Sequence, residues 1–134
     1  MLKIAFVGFG SIARRHILNV HTLLGRRGAA HEIDVYRRGK RPIDDPAAAK
    51  VVSHIYDASE VGKQEYDILF ITNPTSTHYE TLRQWAPYAR NVFIEKPVFD
   101  DPDQDCLCVR TAFTMWPALC AITPYCNTPK RAST

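Results

Sequence analysis

The chain has 134 residues, 46% of them hydrophobic and 23% charged, which is typical of one globular domain. Its net charge of +3 comes from both signs mixed along the sequence, so we expect no nucleic-acid partner, which requires a basic face. The sequence shows neither a bilayer-spanning segment nor a signal peptide, so we expect no membrane partner and a cytoplasmic protein.

Short apolar strand patterns alternate with helical patterns through most of the chain. In chain order, the predicted elements are a strand at Leu2–Val7, a helix at Ser11–Leu24, a strand at Glu32–Tyr36, a helix at Pro46–Val52, a weak strand at His54–Tyr56, a strand at Asp67–Thr72, a helix at Thr75–Tyr88 and a strand at Asn91–Glu95. This alternation predicts βαβ units and an α/β fold with a doubly wound, mostly parallel (Rossmann) sheet.

The sequence changes character after about Asp105, where neither helical nor strand periodicity is clear. All four cysteines, Cys106, Cys108, Cys120 and Cys126, lie there with a spacing that does not match a zinc site, so we predict no metal. We therefore divide the chain into a dinucleotide-binding domain at residues 1–104 and an irregular tail at residues 105–134. A shift of reading frame near Asp105 would explain this tail, and the sheet would then be truncated around its sixth strand.

A glycine motif follows the first predicted strand. Residues 8–13 read Gly-Phe-Gly-Ser-Ile-Ala, which is the pattern G-x-G-x-x-A between a strand and a helix. Gly8 allows a tight turn, Gly10 lets a pyrophosphate approach the backbone, and Ala13 keeps helix and strand close. Phe9, Ser11 and Ile12 complete the turn, whose free N–H groups would face the phosphates. The alternative is a turn that is glycine-rich by chance.

Two arginines follow the second strand, where an NAD site usually has an acidic residue that binds the ribose. Arg37 and Arg38 occupy this place, and Asp34 lies two residues inside the strand. Guanidinium groups at this position could bind a 2′-phosphate, so we predict NADP as the cofactor, with NAD as the alternative. A solvated basic loop is the competing interpretation.

Three motifs together resemble the glucose–fructose oxidoreductase / inositol dehydrogenase (Gfo/Idh/MocA) family over about residues 1–104. The first is V-G-F-G-S-I-A-x-x-H at Val7–His16. The second is T-N-P-T-x-x-H at Thr72–His78, and the third is Glu95-Lys96-Pro97.

The resemblance implies roles for these positions. Lys96 would be catalytic, close to the nicotinamide and to the substrate oxygen, where a cation stabilises developing negative charge. Glu95 would help orient the cofactor, and Thr72, Asn73, Pro74 and His78 would line its cleft. From the residues alone, Glu95 and Lys96 are equally consistent with a charged pair on the surface.

The resemblance also implies an oxidoreductase acting on CH–OH groups of a sugar, inositol or related polyol. Family members continue into a second, substrate-binding domain that this sequence does not contain, so we expect little or no turnover by the chain alone. The alternatives are a non-catalytic dinucleotide-binding module, a subunit completed by another chain, and a non-functional gene remnant. An uncovered sheet edge would favour self-association.

Overall fold

A computed structural model describes residues 1–95 of the chain. Its strands are β1 (Leu2–Val7), β2 (His31–Arg37), β3 (His54–Asp57), β4 (Tyr66–Ile71) and β5 (Ala89–Ile94), and its helices are α1 (Ser11–Arg26), α2 (Pro46–Val51) and α3 (His78–Trp85). All five strands are parallel and lie in the order β3-β2-β1-β4-β5. The predicted doubly wound parallel sheet is therefore confirmed.

Both faces of the central strand β1 are buried, which accounts for its continuous apolar sequence. Ile4 and Phe6 point to one face, where they pack with Ile17 of α1. Ala5 and Val7 point to the other face and join the core that contains Trp85 of α3. Alternation along the strand thus divides the core into two layers, one on each side of the sheet.

The third predicted helix differs most from the structure. We predicted one helix over Thr75–Tyr88, whereas α3 is flanked by short 3₁₀ turns at Thr75–Thr77 and Ala86–Tyr88. Pro87 has no N–H to donate to the preceding turn, so it cannot continue a regular α-helix.

The end of the first helix also differs. We predicted a helix over Ser11–Leu24, but α1 continues through Gly25 and ends at Arg26. Gly28 follows with a φ of +65°, a conformation that favours glycine. No helix among residues 1–95 is long and apolar enough to cross a membrane.

The predicted boundary at residue 104, the irregular tail at residues 105–134 with its four cysteines, and the sixth strand all lie outside the described residues. They remain predictions.

Candidate functional site

A cavity of about 490 Å³ opens at the carboxyl end of the sheet, the edge where ligands bind in open α/β folds. Residues from four separate segments line it: Val7, Gly8, Phe9, Tyr36, Arg37, Arg38, Arg41, Ala58, Asn73, Pro74 and Thr77. The structure thus brings together the glycine turn, the basic turn after β2 and the Thr-Asn-Pro segment after β4, all predicted from sequence to form one site.

The glycine turn joins β1 to α1, and the absence of a side chain matters for a different reason at each of its two glycines. Gly8 has a φ of +92°, and a Cβ there would lie 2.8 Å from both Cα and N of Asn73, so this turn needs a residue without a side chain. Gly10 is the N-cap of α1 and has an ordinary extended backbone. A Cβ on Gly10 would meet nothing within 4 Å, which leaves open space in front of the helix.

The start of α1 can bind an anion. Ser11 and Ile12 are exposed, whereas Ala13 is fully buried against the sheet as the motif predicts. No side chain caps this N-terminus. The first N–H groups of any α-helix have no partner inside the helix, and the helix dipole favours a negative charge beside them.

The four residues predicted after β4 divide into two that line the cavity and two that hold them. Asn73 and Pro74 line it. The hydroxyl of Thr72 donates to the carbonyl oxygens of Val7 and Gly8, both at 3.2 Å. The His78 ring, only 1% exposed, donates from Nε2 to the Asn73 carbonyl oxygen at 2.7 Å.

The side chain of Asn73 has an unused acceptor. Its Nδ2 donates to the Thr81 hydroxyl at 2.7 Å, whereas its Oδ1 is buried and has no hydrogen-bond partner in the described part of the chain. Leaving a buried acceptor unpaired is unfavourable. A bound molecule that donates a hydrogen bond at this point would satisfy it.

The three arginines at the cavity are held in different ways. Arg37 donates to the Pro42 carbonyl oxygen at 3.1 Å, and its guanidinium lies 5.2 Å from the ring centroid of Phe9. Arg38 and Arg41 are exposed, and within residues 1–95 neither has an ion-pair partner. These two side chains are available to an anionic ligand.

Two carboxylates at the end of β3 hold the basic turn. Asp57 accepts from the Gly39 N–H at 2.8 Å, and Gly39 has a φ of +74°. Hydrogen bonds from the Ser59 hydroxyl and N–H and from Gly39 lower the pKa of Asp57 to about 2. Glu60 accepts from Lys63, binds Lys40 at 3.3 Å and also has its pKa lowered to about 2. Both groups are therefore charged at neutral pH.

Asp34 does not reach the cavity. This carboxylate is 2% exposed and accepts from the Tyr66 hydroxyl at 2.8 Å, while its other oxygen lies 2.9 Å from Nδ1 of His54. Burial raises the pKa of Tyr66, and the hydrogen bond to Asp34 raises the pKa of His54. No Asp or Glu lines the described cavity.

One group within residues 1–95 has donor atoms close enough to share a metal ion, namely Glu32, Asp34 and His54. The two carboxylates lie 3.0 and 2.9 Å from the same imidazole nitrogen. These ion pairs account for the group without a metal. It lies along β2 and the start of β3, and none of its members lines the cavity.

Glu95 follows β5 directly, and its N–H donates to the Ile71 carbonyl oxygen at 3.1 Å. Its carboxylate lies 2.9 Å from Nε2 of His16 on α1. The first and third sequence motifs thus meet in space. Lys96 and Pro97 lie outside the described residues, so the catalytic role expected for Lys96 remains a prediction.

Sequence reasoning missed five residues that line the cavity: Val7, Tyr36, Arg41, Ala58 and Thr77. Arg41 belongs to the same basic run as Arg37 and Arg38, so the charge pattern could have identified it, and Val7 directly precedes the glycine motif. The other three have no distinguishing sequence signal, because only the packing of neighbouring segments brings them to the site.

The parallel sheet, the glycine turn and the adjoining cavity define a dinucleotide-binding Rossmann domain. Residues 2–112 match a sequence model of the Gfo/Idh/MocA family described as "Oxidoreductase family, NAD-binding Rossmann fold". The chain belongs to this family, and the match continues beyond the boundary that we placed at residue 104. No curated protein matches the sequence.

Several solved structures share the fold. A probable oxidoreductase, YhhX, is 21% identical with a TM-score of 0.67 and matches 85% of this chain and 33% of its own. The WlbA dehydrogenase from Chromobacterium violaceum, in complex with NADH and UDP-GlcNAcA, is 23% identical with a TM-score of 0.62 over 84% and 32% of the two chains. The scyllo-inositol dehydrogenase from Lactobacillus casei, with NAD(H) and scyllo-inositol, is 19% identical with a TM-score of 0.62. The match covers 85% of this chain and 34% of the dehydrogenase. This chain spans about a third of the length of each.

Proposed function

We propose that the cavity at the carboxyl end of the sheet binds a nicotinamide dinucleotide, with NADP preferred over NAD. The observation that carries the proposal is the meeting of three features at one sheet edge. These are the open helix N-terminus at Gly10, the Oδ1 of Asn73, and the guanidinium groups of Arg38 and Arg41, the last three without a partner in the described part of the chain.

Each feature fits one part of the cofactor. The N–H groups at the start of α1 would bind the pyrophosphate, and any side chain at Gly10 would fill that space. The Asn73 Oδ1 would accept from a hydroxyl or amide of the ligand. The bound nicotinamide supplies the position that accepts or donates the hydride.

The preference for NADP depends on charge. Arg38 and Arg41 offer two guanidinium groups to a 2′-phosphate. Among residues 1–95, no carboxylate lines the cavity to repel that phosphate or to bind a ribose 2′-hydroxyl. NAD is the alternative, because the WlbA and scyllo-inositol dehydrogenase structures contain NADH and NAD(H).

We extend the proposal to an oxidoreductase that acts on a CH–OH group of a sugar, inositol or polyol. Family membership supports the reaction class, and the ligands of the neighbours, scyllo-inositol and UDP-GlcNAcA, support the substrate class. Lys96 would stabilise negative charge on the substrate oxygen. The cytoplasmic location stays a prediction.

A subunit completed by another chain, or by a second copy, is the second candidate. Strand β5 pairs only with β4 among the described strands, and Phe93 on it is 43% exposed. An unpaired parallel edge with an exposed aromatic residue can bind a further strand.

Isothermal titration of the chain with NADP⁺ and NAD⁺ tests the proposal, with Gly10→Leu as the site variant and Gly25→Leu as the control. Both glycines have open space around them and ordinary φ angles, but only Gly10 lies at the proposed pyrophosphate position. We expect the control to bind as the wild type does and Gly10→Leu to lose more than about tenfold in affinity, because its side chain displaces the phosphates.

A wild-type chain that binds neither dinucleotide would instead support the gene-remnant alternative. Unchanged binding by Gly10→Leu would show that any ligand lies elsewhere.

A further inference from the structure

A polar contact joins the helix of the glycine motif to the residue that follows strand β5. Nε2 of His16 lies 2.9 Å from Oε2 of Glu95, and the two residues are 79 positions apart in sequence. Each side chain is only 28% exposed. Partial burial shields such a contact from water, so it is stronger than a surface pair.

Two aromatic rings fix the direction of the His16 ring. Its centroid lies 6.0 Å from that of Phe70 on β4 and 5.5 Å from that of Phe93 on β5, and the Phe93 contact is edge-to-face. The two phenylalanines contact each other at 5.2 Å. The imidazole is therefore held by packing, and this places its Nε2 against the Glu95 carboxylate.

Glu95 and the arginines lie on opposite sides of the glycine turn. The sheet order puts β2, which precedes Arg38, on one side of β1, and puts β4 and β5, which precede Glu95, on the other. In doubly wound sheets a dinucleotide lies across this point, with one nucleotide half on each side. Because the arginines would bind the adenosine 2′-phosphate, Glu95 belongs to the nicotinamide half.

We propose that His16 is a positioning residue for the nicotinamide half of the site. It donates a hydrogen bond from Nε2 to the Glu95 carboxylate and fixes that group relative to α1, the helix that binds the pyrophosphate. This inference depends on the proposed dinucleotide function.

The test compares His16→Leu with His16→Gln. Leucine keeps the apolar packing against Phe70 and Phe93 but cannot donate, whereas glutamine keeps a side-chain N–H donor. Each variant is titrated with two pairs of ligands, and the two members of a pair differ only in the presence of the nicotinamide. The pairs are NADP⁺ with 2′-phospho-ADP-ribose, and NAD⁺ with ADP-ribose.

We expect His16→Leu to bind the intact dinucleotide about tenfold more weakly and the ligand without nicotinamide as tightly as the wild type. His16→Gln should restore most of the lost affinity. If His16 had a merely structural role, its replacement would disturb the whole domain and would weaken the binding of both members of a pair.

If His16→Leu binds both members of a pair equally more weakly, or neither more weakly, the inference is overturned while the proposed function stays intact. A wild-type chain that binds none of the four ligands refutes the proposed function itself. Should His16→Leu not fold, as judged by thermal melting, Glu95→Gln removes the charge from the other partner. It should then give the same loss confined to the intact dinucleotide, and equal weakening of both ligands by Glu95→Gln overturns the inference as well.

Discussion

At the scale of single residues, the site separates arginines that maintain structure from arginines that are available to a ligand. Arg37 was half of the phosphate clamp predicted from sequence, but its guanidinium is already engaged by the Pro42 carbonyl and the Phe9 ring. Arg38 and Arg41 have no such contacts within residues 1–95, and they line the same cavity. The pair proposed for a 2′-phosphate is therefore Arg38 with Arg41.

Replacing both Arg38 and Arg41 with Ala should weaken NADP⁺ binding by more than about tenfold, because charge-assisted hydrogen bonds to the 2′-phosphate are lost. NAD⁺ lacks that phosphate, so its affinity should change by less than about twofold. Arg26→Ala, which removes one charge at the far end of α1, is the control. Titration calorimetry at one fixed salt concentration measures all three proteins, and an equal loss for both dinucleotides would show that the arginines do not recognise the 2′-phosphate.

At the scale of elements, the basic turn depends on a half-buried carboxylate from the neighbouring strand. Arg37 and Asp57 are paired across β2 and β3, and Asp57 binds the N–H of Gly39 inside the turn. A carboxylate that accepts hydrogen bonds in the folded state stabilises it only while ionised. The conformation of the turn should therefore depend on pH.

The effect of Asp57→Ala on stability should disappear in acid. Folding lowers the pKa of Asp57 from 3.8 to about 2, so its contribution is complete above pH 4 and is lost as the pH falls towards 2. Urea unfolding of wild type and variant should give a constant difference in free energy from pH 7 to about pH 5, and a smaller difference at about pH 3. A difference independent of pH across this range would mean that the charge of Asp57 does not hold the turn.

At this scale, the sequence predicted some strands closely but did not predict contacts between distant segments or the division of the third helix. The inner strands β1 and β4 were predicted within a residue, because short, continuous apolar runs bounded by turn residues are typical of buried parallel strands. The contact between His16 and Glu95 was not predicted, because it joins residues 79 positions apart in sequence. The division of Thr75–Tyr88 into three pieces was missed because helical periodicity survives short 3₁₀ turns.

At the scale of the whole molecule, the two sides of the described sheet are covered unequally. The Tyr36 and Trp85 side of the core is closely packed, with ring centroids 4.6 Å apart. On the side of α1, Phe93 on the outer strand β5 remains 43% exposed. Among residues 1–95 no strand pairs with the outer edge of β5, and an apolar surface beside such an edge favours association with another chain.

Phe93→Lys should reduce self-association of the chain. A lysine on an edge strand opposes pairing with a second edge, because burying the ammonium group is costly. Leu23→Lys is the matched control, since Leu23 is 52% exposed on α1 and does not lie on a strand. Sedimentation velocity over a range of concentrations should show oligomers for the wild type and for Leu23→Lys, and monomer for Phe93→Lys. If the wild type is monomeric at every concentration, the edge of β5 does not mediate self-association, and a subunit completed by a second copy of this chain is excluded.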